Sequence, residues 1–184
     1  MANNSNLRKA DKVEFDEYYT EYEYIQKEIN AYLEYNPDTF KGKVILCPCD
    51  DPEWSNFTKF FAQNFETLGL KKLISTSYAF ESKMSLGAGY QFTLEDYLTD
   101  FETKSEKFDM EKTSVKGKIF TLSHDNNSNC IDINDLQWDY LEGDGDFRSE
   151  EVTKLRDEAD IIVTNPPFSL IRDFIACKRG YRKC

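Results

Sequence analysis

No apolar run in this chain approaches the ~18–20 residues that a helix needs to cross a bilayer, so a membrane-spanning helix is not expected. Basic residues are scarce: 23 Lys and Arg stand against 34 Asp and Glu, a formal charge of -11. So acidic a chain is a poor candidate for gripping nucleic acid through phosphate contacts alone. Neither a dinucleotide-type glycine fingerprint nor a P-loop is present. The five cysteines follow no disulfide framework spacing, which points to reduced thiols and a cytoplasmic location. Met1-Ala2-Asn3-Asn4-Ser5 lacks the apolar region of a secretory signal, and there is no internal repeat or low-complexity tract. What is present is enough for a core: 184 residues, 40% of them hydrophobic and 15% aromatic, in the size range of a single domain.

Periodicity divides the chain into helices and strands. Phe15, Tyr18, Tyr22, Ile25, Ile29 and Leu33 recur at three- and four-residue steps, predicting a helix from about Glu14 to Leu33 that ends at Asn36-Pro37-Asp38. Lys43–Cys47 is a short apolar run suited to a strand buried on both faces. Asp51-Pro52 has the form of a helix start, Trp54, Phe57, Phe61, Phe65 and Leu68 mark its buried face, and Gly69 stops it. Lys72–Tyr78 reads as a second strand, giving a strand–helix–strand unit with a parallel crossover. Tyr90–Leu94 and Lys118–Leu122 alternate and are expected to pair as a side hairpin. Leu136–Leu141 is a further strand. Ser149 caps a helix over Glu150–Asp157, and Ala159–Thr164 is a strand expected to be buried on both faces, with another helix starting near Ser169.

In open parallel sheets, ligands bind at the carboxyl ends of strands. Three polar clusters fall there: Pro48-Cys49-Asp50-Asp51, Gly143-Asp144-Gly145-Asp146 and Asn165-Pro166-Pro167-Phe168. The first two are acidic and disfavour a phosphate ligand. Carboxylates at strand ends suit ribose hydroxyls, an adenine amino group or a positively charged ligand, and S-adenosylmethionine offers all three. Asp50 and Asp51 read equally as helix-capping acids. The two roles are compatible, since one acid can cap while its neighbour binds.

Asn165-Pro166-Pro167-Phe168 is the sharpest signal. The amino group on a base is a poor nucleophile because its lone pair is delocalised into the ring. Two acceptors holding its N–H bonds, the Asn165 side-chain oxygen and the Pro166 carbonyl, would draw it toward a tetrahedral nitrogen. Prolines fix φ near about −65° and lack an N–H, so the turn is stiff. Phe168 offers a face on which an extruded base stacks, a contact worth ~1–3 kcal/mol. No titrating base is needed, in agreement with the single histidine, His124. The plainer reading of the same string is a proline turn that closes a strand.

These segments, in this order, resemble the EcoRI-type adenine-specific DNA methyltransferases. Phe15–Thr20 looks like that family's N-terminal cofactor element, which makes Tyr19 and Thr20 ligand candidates. Cys49-Asp50-Asp51-Pro52 with Ser55-Asn56-Phe57, the stretch Leu68–Ile74, Gly143–Ser149 and Asp160–Leu170 look like the cofactor loops and the catalytic stretch. The resemblance implies a Rossmann-like α/β methyltransferase fold with flanking helices, here an incomplete parallel sheet plus the side hairpin. It implies methyl transfer from S-adenosylmethionine to the N6 amino group of adenine in double-stranded DNA, of restriction–modification type. Asn165, Pro166, Pro167 and Phe168 are then the catalytic candidates, and Tyr19, Thr20, Cys49, Asp50, Asp51, Asp144, Asp146 and Phe147 the cofactor candidates, with no metal. The family's acid at the end of the second strand is not evident, since Ser75, Ser77 and Tyr78 stand there.

Three regions are expected: a disordered 1–13, a partial methyltransferase domain over 14–176, and a basic non-homologous tail over 177–184. The tail and the length read as a truncated frame. The chain alone is then expected to fold marginally, to methylate poorly, and to be completed by a second, C-terminal chain that supplies the region reading DNA. Rival readings are an inactive or split-enzyme fragment that binds only cofactor, and a methyltransferase acting on ribosomal RNA or protein. Cys47 and Cys49 form a Cys-x-Cys pair, but only Cys130 and His124 are near enough in sequence to complete a metal site. Buried cysteines are the better reading.

Overall fold

The computed structural model describes residues 20–50, 55–82, 103–123, 137–166 and 170–179. Its elements are α1 (Tyr22–Tyr35), β1 (Val44–Cys47), α2 (Asn56–Gln63), α3 (Phe65–Leu68), β2 (Lys72–Ser77), α4 (Met110–Val115), β3 (Lys118–Ser123), β4 (Gln137–Tyr140), α5 (Glu150–Glu158), β5 (Ile161–Ile162) and α6 (Ile171–Arg179). The strands form one sheet in the order β4-β3-β2-β1-β5. β1 lies parallel to both β2 and β5, whereas β3 is antiparallel to β2 and to β4. Four strands therefore point one way and β3 points the other.

Alternation along β1 builds the two faces. Ile45 and Cys47 face a core shared with Ile25 and Ile29 of α1, Phe61 of α2 and Phe65 of α3. Val44 and Leu46 face the other side, with Ile74, and meet Leu155 of α5 and Ile162. The result is helix, sheet, helix, with β1 and β2 almost wholly buried between. Phe60 and Phe61 pack edge-on at 5.5 Å, and Phe40 meets Phe61 edge-on at 5.8 Å. Such pairs add about 0.5–1.5 kcal/mol each beyond their burial.

Several expectations hold. The crossover from β1 to β2 is parallel. Gly69 stops α3 with φ +63°. Ser149 caps α5, accepting from Val152 N at 3.2 Å. Others are corrected. The described part of the first helix runs from Tyr22 to Tyr35, past Leu33, and ends where Asn36 caps it. The second helix starts at Asn56 rather than at Asp51-Pro52, because the Ser55 side chain accepts from Phe57 N and Thr58 N and supplies the cap. It breaks at Asn64 into α2 and α3. Lys118–Leu122 does not form a side hairpin with Tyr90–Leu94: both of its edges are taken, by β2 and β4, and it is part of the main sheet. Tyr90–Leu94 itself lies outside the described residues, as do 1–13 and 180–184.

β5 also departs from the expected strand. Only Ile161 and Ile162 are in it, and they are half-buried rather than buried on both faces. Among the described residues β5 has one neighbour, β1, so it forms the sheet edge. Asp160 fixes its start: its backbone N–H donates to Val44 O at 2.9 Å, and its carboxylate accepts from Val44 N at 2.8 Å. That backbone bond, helped by nearby Lys43, holds the Asp160 carboxyl below the usual carboxylate range.

Candidate functional site

Because β1, β2, β4 and β5 point the same way, their carboxyl ends share one edge, and the three polar clusters meet there. β5 pairs with β1, Val163 N donates to Leu46 O at 3.0 Å, and the Thr164 hydroxyl donates to the Pro48 carbonyl. The loop leading into Asn165-Pro166 is thus tied to the loop leaving β1. Asn165 is half-buried and Pro166 is buried. Pro167 and Phe168 lie outside the described residues.

Cys49 has a left-handed backbone, φ +67°. A side chain held in that region costs of order 1–3 kcal/mol, and such strain concentrates at ligand sites. The turn it makes lets Asp50 N donate to Thr76 O at 2.8 Å, binding the β1 loop to the end of β2. Asp50 is buried, with 5% of its surface exposed, and its carboxylate accepts from Ser55 Oγ at 2.7 Å. Ser55 thus holds Asp50 and caps α2 at once. Next to it, Asn56 Nδ2 donates to the Thr20 carbonyl at 2.9 Å, which brings the N-terminal candidate Thr20 to this loop. Tyr19 and Asp51 lie outside the described residues. Ser55→Ala removes the cap and one donor to a buried carboxylate, so a loss of about 2 kcal/mol is expected. A lower urea midpoint at unchanged slope is the result to look for.

The Gly143–Asp146 cluster is a tight loop. Asp144 Oδ1 accepts from Asp146 N at 3.1 Å, Asp144 Oδ2 accepts from Ser82 Oγ at 2.8 Å, and Ala79 N donates to Asp144 O at 2.7 Å. The Glu151 carboxylate accepts from the backbone amides of Glu142 and Gly143. Asp146 and Arg148 are joined through Nε (3.0 and 3.1 Å) and Nη2 (2.5 Å). Burial alone would raise the Asp146 pKa, but the Arg148 side chain and amide outweigh it and hold the carboxyl below its usual range. Under these loops Cys49, Tyr78, Leu141, Phe147 and Val152 form a small core with Leu170 and Phe174. Tyr78 joins the loop after β1 to the loop after β4: its hydroxyl faces Cys49 and Asp146, and burial first, then those two groups, push its pKa far up, while the Phe147 backbone acts the other way.

Two glycines make this convergence possible. A Cβ on Gly145 would stand 2.2 Å from Ser77 O, and one on Gly117 would stand 2.5 Å from Gly145 Cα. The backbones of β2, β3 and the loop after β4 therefore touch directly at the shared edge.

Cys47 and Cys49 are buried and not joined in a disulfide, and burial, then the charge of Asp50, raises the Cys47 pKa. No cluster of His, Cys, Asp and Glu fit for a metal occurs among the described residues, and His124 and Cys130 lie outside them. A cavity of roughly 10 Å³ between Leu46, Pro48, Phe147 and Phe174 has room for about one water and is a packing gap.

The structure thus brings together Thr20, Cys49, Asp50, Asp144, Asp146, Phe147, Asn165 and Pro166. Sequence reasoning did not give site roles to Ser55, Tyr78, Ser82, Arg148 or Glu151. Arg148 was recoverable in principle, as a base two residues after a loop acid. Tyr78 and Ser82 act through tertiary contacts that leave no local pattern.

A family model described as adenine-specific methyltransferase EcoRI matches residues 6–184. The chain is 38% identical over 174 residues to the Type II methyltransferase M.EcoRI of Escherichia coli, covering 95% of this chain and 45% of that protein. It is 35% identical over 169 residues to M.MpnI of Mycoplasma pneumoniae and 32% identical over 170 residues to M.MgeORF184P of Mycoplasma genitalium. Those two matches each cover 92% of this chain and 39% of the relative. The chain therefore spans less than half the length of these curated relatives. No solved structure matches it.

Proposed function

This chain belongs to the EcoRI family of adenine-specific methyltransferases, and from that premise we propose that it carries the cofactor pocket and amine-binding turn of a restriction–modification enzyme that methylates adenine N6 in double-stranded DNA. The observation that carries this reading is the tie between Thr164 and the Pro48 carbonyl, which seats the Asn165-Pro166 turn beside the acidic loop of β1.

The donor set fits S-adenosylmethionine. Asp144 and Asp146 are half-exposed acceptors for hydroxyl or amino groups, Phe147 forms an apolar floor, and Asp50 adds negative charge beneath a cationic ligand. Asp51, Cys49, Tyr19 and Thr20 complete the proposed pocket. The cofactor supplies an electrophilic methyl group when bound. The chain's own residues do the rest: the Asn165 side-chain oxygen and the Pro166 carbonyl accept the two N–H bonds of the adenine amine, localising its lone pair, and Phe168 stacks the extruded base. Pro167 stiffens the turn.

Calorimetry with S-adenosylmethionine tests this reading. Heat of binding is expected for the wild type, with affinity about tenfold weaker in Asp146→Ala. A wild type that binds no cofactor would end it.

A further inference from the structure

Arg148, in the segment after β4, reaches both the acid two residues before it and the helix that follows the Asn-Pro-Pro turn. Its Nε and Nη2 engage Asp146, while Nη1 donates to Asp173 Oδ2 of α6 at 3.2 Å. The guanidinium lies over the Phe147 ring at 5.5 Å, and the Phe147 ring packs edge-on against Phe174 of α6 at 5.3 Å. Two links, one polar and one aromatic, thus run side by side between the same two segments. We propose that Arg148 is a positioning residue that locks the 144–147 loop to α6, so that the loop sets the position of the helix carrying the chain away from Asn165-Pro166.

The chemistry requires arginine. A planar fork can serve two carboxylates at fixed angles, whereas a lysine ammonium is a point charge on a flexible stem. Arg148→Lys keeps the charge and one partner but cannot hold Asp146 and Asp173 together. A role through charge alone would be rescued by lysine; the lock would not. The consequence for methyl transfer rests on the pocket reading above, because it takes Asp146 and Phe147 to be cofactor contacts. The lock itself does not depend on that reading.

Hydrogen exchange on the ligand-free chain reads the lock directly. Arg148→Lys and Asp173→Asn are each expected to speed exchange of the α6 amides about threefold, the scale of a partly exposed ion pair, while β1 and β2 amides stay unchanged. The double variant should exchange no faster than either single one, because both remove the same link. Calorimetry on the same proteins should show S-adenosylmethionine affinity about threefold weaker in Asp173→Asn, although Asp173 lies outside the pocket. Unchanged α6 exchange in both single variants, or additive effects in the double, overturns the proposal. Coupled exchange in a chain that binds no cofactor supports the lock and removes only the pocket reading.

Discussion

If the chain carries the proposed methyltransferase site, Asn165→Ala is expected to lower methyl transfer to adenine in duplex DNA by about 10²-fold or more and to leave S-adenosylmethionine affinity within about twofold. The split follows from the division of labour at the shared edge. The carboxamide is one of two acceptors proposed for the amine, whereas the cofactor candidates belong to the segment before α1 and to the loops after β1 and β4. A preorganised polar contact that grips a group only as charge develops on it acts on the chemical step and not on the ground state. Asn165→Asp keeps an acceptor in the same place and should retain a measurable part of the rate. Incorporation of a labelled methyl group into an adenine-containing duplex measures both variants. Turnover by Asn165→Ala at the wild-type level would remove the turn from the mechanism.

Gly145→Ala destabilises the protein by about 3–5 kcal/mol, combining a backbone clash with a left-handed φ. The new methyl would lie 2.2 Å from Ser77 O and 3.1 Å from Ser77 C at a φ of +84°. Neither neighbour is the flexible end of a side chain, so β2 or the loop must move. Gly143→Ala, two residues earlier, meets nothing within 4 Å and is the control. Thermal melts should separate the two by about 10 °C. Equal melting temperatures would mean that the close approach of Gly117, Gly145 and Ser77 carries no weight in holding the loops together.

Much of the fold is legible in the sequence, because local periodicity writes α1, β1, β2 and α5, and because Gly69 and Ser149 are caps with a local mechanism. The errors arise where tertiary contact decides. The alternation of Lys118–Leu122 states that one face is buried but cannot name the neighbours, and those are β2 and β4. The apolar run Ala159–Thr164 promised a strand buried on both faces. At the sheet edge, with one neighbour among the described residues, its isoleucines are only half covered. In the site, the acids could be seen as acids, but not what engages each of them. Side-chain partners occupy all three, Ser55 on Asp50, Ser82 on Asp144 and Arg148 on Asp146, and burial separates Asp50 from the two half-exposed acids. The Arg148 bridge spans 25 residues of chain, and no pattern of short period reports it.

The reversed direction of β3 gives the sheet two rims with different freedoms. β3 enters at the rim where Gly117 donates to Gly143 O, and it leaves at the opposite one, where β4 also begins. The connection from Ser123 to Gln137 therefore departs and returns on the side remote from the acids and the proline turn. The close backbone crossings of Gly117 with Gly143, Gly145 and Ser77 thus belong wholly to the rim at which β3 starts.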